Sequence, residues 1–441
     1  MTRSTIEALL DAARAAGAEH ADALIVHSAS LAVQRRLGAI EQLERSESTD
    51  LGLRVFLGNR VAIVSGTDAT RSGFAALAER AVAMARVVPE DALATLLDAA
   101  APMDAAALDL SDDAEPDADA LLTRAAIAEE AALAVQGVTN SEGASAGWSR
   151  GTRTLATTRG FAGQYTRSSH SVSATALAGE GTGMQRDYDY ASSTYLSDLE
   201  DAATIGRLAG EQAVARLNPT RPKSTRLTVV YHPRVASSLL GHLVSAVNGA
   251  SVARGTSFLK EAMGQQILPR GMMVYDDPLR PRGPRSRPFD GEGQPGVRRA
   301  LIEDGVLTTW LLDGRSARQL GMTTTGHAGR GTGGPPSPTP TNLWLAAGSV
   351  TPEALMSDIR EGLYVTELIG MGVNGITGDY SRGAAGFMIR DGKLAEAVGE
   401  ITIAGKLTEM FLAMTAANDL IFRRGTDAPT IRIDGMTLAG A

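Results

Sequence analysis

The stretch 383–407, GAAGFMIRDGKLAEAVGEITIAGKL, decides how the second half of this chain is read. Asp391-Gly392 stands between two apolar runs. An Asp-Gly pair tolerates the left-handed backbone of a two-residue turn, so the two runs are predicted to pair as an antiparallel hairpin. The same signal recurs at Asp304-Gly305 and Asp434-Gly435. Upstream, LTVVYH (227–232) reads as a strand, and 233–253 as a helix rich in small residues. Thr351-Pro352 places Pro at the first position of a further helix, with Gly362 as its stop. A last helix is expected over 406–416.

Working back toward the N-terminus, NPTRPKST (218–225) has two prolines among polar residues and reads as a linker. Before it, Ser197 and Glu200 have capping-box spacing, opening a helix that ends near Leu217. Residues 143–195, rich in Gly, Ser, Thr and Tyr, alternate as antiparallel strands with Ser and Thr on the wet face. The acidic segment 104–119 reads as a surface connection, followed by a helix to about Gln136. Phe74, Leu77, Ala78, Ala81, Val82 and Ala85 sit at helical spacing ahead of Pro89. LGLRVFLGNRVAIVSG (51–66) is a hairpin turning at Gly58-Asn59, and ALIVHSASLAVQRRL (23–37) alternates like a strand. Ser4 and Glu7 form a capping-box pair for a helix over 4–17. The expected fold class is therefore α+β. An N-terminal α+β domain (1–220) precedes a β-rich, antiparallel and barrel-like C-terminal domain (221–441).

The 441 residues are 44% hydrophobic and 21% charged, enough to bury full cores without staples. Aromatics are only 4%, so packing must rest on aliphatic and small residues. The net charge of -8 argues against a phosphate-backbone partner, which needs clustered Lys and Arg. No cysteine is present, which removes disulfides, thiolate ligands and a Cys nucleophile together. No signal-peptide core and no membrane-spanning apolar run is seen, so the expected location is the cytoplasm, with no membrane partner.

Chemistry-bearing motifs are sparse. No two of the six histidines (His20, His27, His170, His232, His242, His327) have the spacing of a helical zinc site. His242, on the 233–253 helix, is either a partly buried imidazole with a hydrogen-bond partner or a ligand. Gly370, Gly372 and Gly375 match G-x-G-x-x-G, but no helix follows to receive a pyrophosphate. The run 326–342 lacks the G-K-[ST] end of a P-loop and reads as an extended, irregular loop. Ser257 and Lys260 fit S-x-x-K, against the plainer reading of a polar turn. Residues 280–299 carry six arginines. They either pair with carboxylates or a partner surface, or form a solvated loop.

Four stretches of the second half resemble the TldD/PmbA family, also known as "modulator of DNA gyrase". They are NGASVARGTSFL (248–259), RPFDGEGQPGVRRALIEDGVLTTWLLD (287–313), PTPTNLWLAAG (338–348) and MGVNGITGDYSRGAAGFMIRDGKLAEAVGEITIAGKL (371–407). STDLGLRVFL (48–57) is similar to the family's first half. In the TldD branch the resemblance implies an H-E-x-x-x-H zinc motif ahead of the G-T-S turn and a Cys ligand near the C-terminus. Counted back from Gly255-Thr256-Ser257, those motif positions fall on Leu240, Gly241 and Ser245. None of the three can replace imidazole or carboxylate, and His242 is two positions off the first ligand. The sequence is thus similar to the PmbA/TldE branch.

That branch implies no cofactor in this chain and zinc in a partner subunit, a TldD-like paralogue forming a heterodimer or larger assembly. The implied activity is degradation or processing of unfolded or short peptides, with this chain inactive alone. Without the partner, a homodimer is one open alternative, because an interface built for a paralogue can fit a copy of itself. Asn248, Arg254, Asp379 and Arg382 are candidates for peptide or interface contacts; otherwise they cap turns and pair with one another. The competing readings are a non-enzymatic binding protein acting on gyrase or another target, and a stand-alone peptidase with an unrecognised site.

Overall fold

A computed structural model describes residues 3–101 and 104–441. The first half comprises α1 (Arg3–Ala15), β1 (His20–Arg36), β2 (Ala39–Leu57), β3 (Arg60–Gly66), α2 (Arg71–Val87), α3 (Ala118–Leu133), β4 (Val138–Thr157), β5 (Ala162–Ala178), β6 (Gln185–Ser193) and α4 (Ala202–Ala215). The strands form one antiparallel sheet in the order β3-β2-β1-β4-β5-β6. One end is covered by α1 and α2, which bury Ile6, Leu9, Phe74 and Val82 against Ile25, Leu53 and Val55. α3 and α4 cover the other end, and alanine dominates there. Gly206 of α4 lies so close to the Ala128 carbonyl of α3 that a Cβ would collide with it. The low aromatic content is thus matched by close backbone approach rather than bulky side chains.

Several local expectations hold, and others are corrected. The turn at Gly58-Asn59 joins β2 to β3. The Ser197–Glu200 box does not form. Instead Asp201 caps α4, accepting from the Thr204 N–H at 2.9 Å, and Glu200 turns away to Arg423. The turn between β1 and β2 is Leu37-Gly38, a left-handed leucine (φ +48°) that sequence rules disfavour. Buried Glu129 offsets that strain by accepting both turn amides, at 2.6 and 3.2 Å.

The second half begins with β7 (Thr225–Tyr231), α5 (Pro233–Ala246), α6 (Gly249–Ala253), β8 (Val274–Asp277), β9 (Arg299–Glu303), β10 (Val306–Leu307) and α7 (Gly314–Gln319). It continues with β11 (Ala328–Gly329), β12 (Ser337–Pro338), β13 (Asn342–Leu345), α8 (Pro352–Met356), β14 (Glu361–Ile369) and β15 (Asp379–Arg390). The chain ends with β16 (Lys393–Lys406), α9 (Leu407–Leu412), β17 (Met414–Ala416), β18 (Thr426–Asp427) and β19 (Ile431–Ala439). The main sheet runs β16-β15-β14-β7-β19-β17, and an extra β16–β19 pairing bends it into a barrel-like form. The architecture is α+β, with a helix-rich first half and a β-rich second half. α5 packs Leu239, Leu240 and Leu243 into a core shared with Val229, Tyr231, Leu363 and Val365.

Asp391-Gly392 (φ +47°, +78°) and Asp304-Gly305 (φ +49°, +78°) form the two-residue hairpins read from sequence. Asp434-Gly435 does not. It remains inside β19 as a bulge between Ile433 and Met436, because both flanks pair with the same strand, β7. The predicted helix over 233–253 breaks at Asn248, whose side chain caps α6. The helix opened by Thr351 stops at Met356, and Gly362 lies inside β14, facing the Thr228 carbonyl. The last helix ends at Leu412, since 414–416 pair with β19.

Arg282, Arg285 and Arg298 are exposed, yet the 280–299 segment and the 326–342 loop are both tied to the first half. Arg282 reaches Asp109 (2.6 Å) and Asp198 (3.0 Å), and Arg280 stacks on Phe422, 3.7 Å from the ring centre. Phe289 inserts between Phe161 and Tyr165 of the first half. Beside it, buried Asp22 of β1 receives Arg54 of β2 and Arg330 of the 326–342 loop. Burial pushes the Asp22 carboxyl up, but Arg330 and Arg54 outweigh it and hold the group below the usual carboxylate range. Arg54 also faces buried Glu292 at 3.8 Å, and the Gly314 N–H donates to Glu292 at 2.7 Å. Gly52 admits this loop, since a Cβ there would meet the Thr332 carbonyl at 2.5 Å.

Asp22→Asn is expected to destabilise the fold by about 3–5 kcal/mol in urea unfolding, because two guanidinium groups would be left buried around one neutral amide. Burial, opposed by Arg54, pushes Glu292 up to about 7 from 4.5. The folded state therefore holds this proton more tightly than the unfolded chain. Stability should fall as pH rises from 5 through 7, and Glu292→Gln should flatten that slope in unfolding curves taken across the range.

Candidate functional site

The resemblance puts the zinc-ligand positions on the C-terminal half of α5. Leu240 is buried in the core. Gly241 is exposed, with open space around its would-be Cβ. Ser245 is exposed and returns its hydroxyl to the Gly241 carbonyl at 3.0 Å. An aliphatic group, a hydrogen and a hydroxyl already spent on the helix offer no imidazole or carboxylate to a metal. Among the described residues no group of three or more His, Cys, Asp or Glu could hold an ion. The donor set here does not fit the zinc that the resemblance implies for its other branch.

The histidines are dispersed. His232 caps α5 through Nδ1, accepting from the Arg234 N–H at 3.1 Å, and burial pushes it down to about 4. His170 faces Asp112 at 3.2 Å. His327 lies between Asp276 (3.0 Å) and the Thr325 hydroxyl (2.8 Å), superficially a nucleophile–base–acid relay. Thr325 is buried, however, and its hydroxyl also bonds the backbone of Leu312, so the trio fastens a loop. Ser257 is buried, donating to the Ala246 carbonyl at 2.6 Å, while Lys260 is exposed; the S-x-x-K spacing builds a turn.

His242 stands on α5 with its ring edge to Tyr380 of β15, centroids 5.8 Å apart. Tyr380 and Arg382 alternate on the same inward face of β15. Burial and the Arg382 charge both push His242 below its ordinary value, so its ring is neutral near pH 7. Tyr380 in turn meets Tyr231 of β7, hydroxyl to hydroxyl at 3.5 Å. The strand period places Tyr380 with Arg382, but only the fold brings α5 above them.

The four residues singled out in sequence have different surroundings. Asn248 is internally satisfied: Oδ1 accepts from the Ala250 N–H at 3.0 Å and Nδ2 donates to the Pro338 carbonyl at 2.9 Å. Arg254 is exposed at the end of α6. Asp379 is exposed and accepts from the Thr377 hydroxyl at 2.6 Å. Arg382 is buried, with Nε donating to the Ile369 carbonyl at 3.4 Å. None of the four forms an ion pair with another among the described residues. The glycine-rich loop between β14 and β15 joins this region to the G-T-S turn, since the Phe258 N–H donates to the Gly375 carbonyl at 3.0 Å.

Three consecutive family models cover the chain: PmbA/TldA metallopeptidase domain 1 at 21–85, the central domain at 111–217 and the C-terminal domain at 224–440. The chain is 36% identical over 424 residues to the metalloprotease PmbA of Escherichia coli O157:H7, spanning 95% of this chain and 92% of that protein. It is 32% identical to the PmbA homologue of Haemophilus influenzae, spanning 99% and 96%. A candidate modulator of DNA gyrase from Bacteroides thetaiotaomicron has a similar structure, with TM-score 0.90 and 25% identity over 100% and 99% of the two chains. TldE of Thermococcus kodakarensis shares the fold at TM-score 0.88 and 18% identity, over 99% and 100%. With its whole length matched and no donor set where a catalytic ion would sit, the chain belongs to the TldD/PmbA metallopeptidase family as a member without a metal-binding cluster among its described residues.

Proposed function

We propose that this chain is the zinc-free subunit of a two-chain peptidase acting on unfolded or short peptides. A zinc-bearing TldD-like paralogue supplies the hydrolytic water, and this chain completes the enclosure and holds substrate. The observation that carries the reading is local. α5 carries Leu240, Gly241 and Ser245 at the positions that the resemblance assigns to zinc ligands. The domains 1–220 and 221–441 would then be a peptide-handling half and a half equivalent to the partner's metallopeptidase domain.

An extended peptide is held with little sequence preference when it adds to an unpaired strand. In the main sheet of the second half the β16–β19 pairing covers Thr402–Ala404 of β16. The outer half of β2 supports strand addition better: β3 pairs only with Leu51–Leu57, so residues 39–50 have a free side. Arg254 and Asp379, both exposed, are the polar groups assigned to partner or peptide contact.

Purified alone, the chain should carry far less than one zinc and leave a casein-derived unfolded peptide intact. Adding a TldD-like partner should start cleavage that a chelator stops. Hydrolysis by the isolated chain, or a partner that works equally well without it, would refute the proposal. Arg254→Glu should leave unfolding free energy unchanged within about 0.5 kcal/mol, as for an isolated surface site, while lowering recovery of the partner in co-purification.

A further inference from the structure

β2 and β3 have two different faces. Leu53, Val55, Ala62 and Val64 turn toward α1 and α2. The alternate residues, Arg54 and Phe56 paired across to Ile63 and Val61, turn the other way. There they line a cavity of about 310 Å³. Leu93, from the segment after α2, adds to its apolar wall, and Glu292 and Asp313 reach it from the second half. Arg315 also lines it and is exposed, so the cavity opens to solvent on that side.

The polar end of this cavity has unused hydrogen-bonding groups of both signs. Arg54 commits Nε and Nη2 to Asp22, and among the described residues Nη1 has no hydrogen-bond partner. Glu292 Oε2 accepts from the Gly314 N–H at 2.7 Å, while Oε1 has no donor among them. Asp313 Oδ1 accepts from the Ser316 N–H at 2.8 Å, and Oδ2 likewise has no donor. All three residues are more than nine-tenths buried, yet none of these three atoms is closed off from solvent. Arg54 Nη1 and Glu292 Oε1 stand 3.8 Å apart, too far to satisfy each other. Burial, opposed by Arg54 and reinforced by Asp290 and Asp313, pushes Glu292 up to about 7, so the guanidinium does not fully compensate this carboxylate. An apolar wall with a few convergent polar groups is the general make-up of a small-ligand site.

A ligand that fits must offer a negative and a positive group side by side, with an apolar portion next to them. A lone cation would meet Arg54, and a lone anion would meet Glu292 and Asp313. An α-amino acid holds its ammonium and carboxylate on one carbon, roughly 3 Å apart, close to the spacing of the open guanidinium and carboxylate atoms. A dipeptide sets its two charges a residue further apart. We infer that this cavity binds a free α-amino acid with an apolar side chain. Its carboxylate accepts from Arg54 Nη1, its ammonium donates to Glu292 Oε1 and Asp313 Oδ2, and its side chain lies against Phe56, Val61, Ile63 and Leu93. Such molecules are products of peptide hydrolysis, a connection that rests on the function proposed above; the binding chemistry does not.

The test is calorimetry on the full-length chain, with L-leucine as the probe. Three related compounds each lack one of its features: L-leucinamide the carboxylate, isocaproate the ammonium, and glycine the apolar side chain. Each should bind at least about tenfold more weakly than leucine, the scale of one lost charged hydrogen bond or of several methylene groups left unburied. The dipeptide Leu-Leu should also bind more weakly. Glu292→Gln should lower leucine affinity by about tenfold or more, since a charged acceptor is lost. Val61→Trp, which fills the cavity from an edge strand without touching its charges, should abolish binding, with thermal unfolding reporting that each variant is folded. The ligand series on the native chain decides the question even if a variant does not fold. No heat from leucine at about 10 mM, where even a millimolar site would fill, would refute the site. Leucinamide or isocaproate binding as tightly as leucine would overturn the zwitterion, and tighter binding of Leu-Leu would overturn the free amino acid. Undiminished affinity in folded Val61→Trp would move leucine out of this cavity and sink the assignment. Failure of a partner to restore cleavage would count against the subunit role without touching these outcomes.

Discussion

Asp22 holds the molecule together across its sequence. One carboxylate on β1 accepts from Arg54 on the neighbouring strand and from Arg330 on a loop of the second half. Neither arginine could be buried alone at tolerable cost, and Asp22 could not be buried without them. The cluster therefore forms only when the two halves are docked in one position. Phe289 between Phe161 and Tyr165 and the close pass of Thr332 over Gly52 depend on the same docking. The two halves share buried charge, which a loosely tethered pair of domains would not do.

The same docking fixes what the second half can present. Gly241 and Ser245 of α5, most of the β14–β15 loop and Arg254 at the end of α6 are exposed. There the family resemblance and the geometry point in one direction. At the positions that the resemblance assigns to metal ligands, α5 carries a leucine, a glycine and a serine. The proposed division of labour, hydrolysis in one chain and substrate holding in the other, follows from that replacement of donors.

Much of the fold was legible in sequence because local chemistry and tertiary context agreed. Asp391-Gly392 and Asp304-Gly305 turn as their dihedral preferences require. The apolar face of α2, from Phe74 to Ala85, is buried as its spacing implies. The misreadings came where tertiary context overruled the local signal. Asp434-Gly435 has a hairpin's residues but a bulge's surroundings, because β7 pairs on both sides of it. Leu37 occupies a left-handed turn that no propensity would suggest, held by Glu129 from a distant helix. The arginines of 280–299 look like a wet loop until Asp109, Asp198 and the aromatic rings are placed beside them. At the candidate site, the absence of ligands was visible in the order of residues. The contact of His242 with Tyr380 was not, since nothing in the intervening residues links α5 to β15.

The position of β7 has a kinetic side. It is the first strand of its sheet to be synthesised and ends up interior, between β14 and β19. Both neighbours lie far downstream, β19 at the very end of the chain. Until β14 and then β19 have been made, LTVVY is an apolar ribbon with bare edges, the kind of segment that joins foreign strands. Non-local closure of this sort is slow and prolongs the exposure of those edges. Truncation before Ile431 would leave that ribbon permanently open on one side.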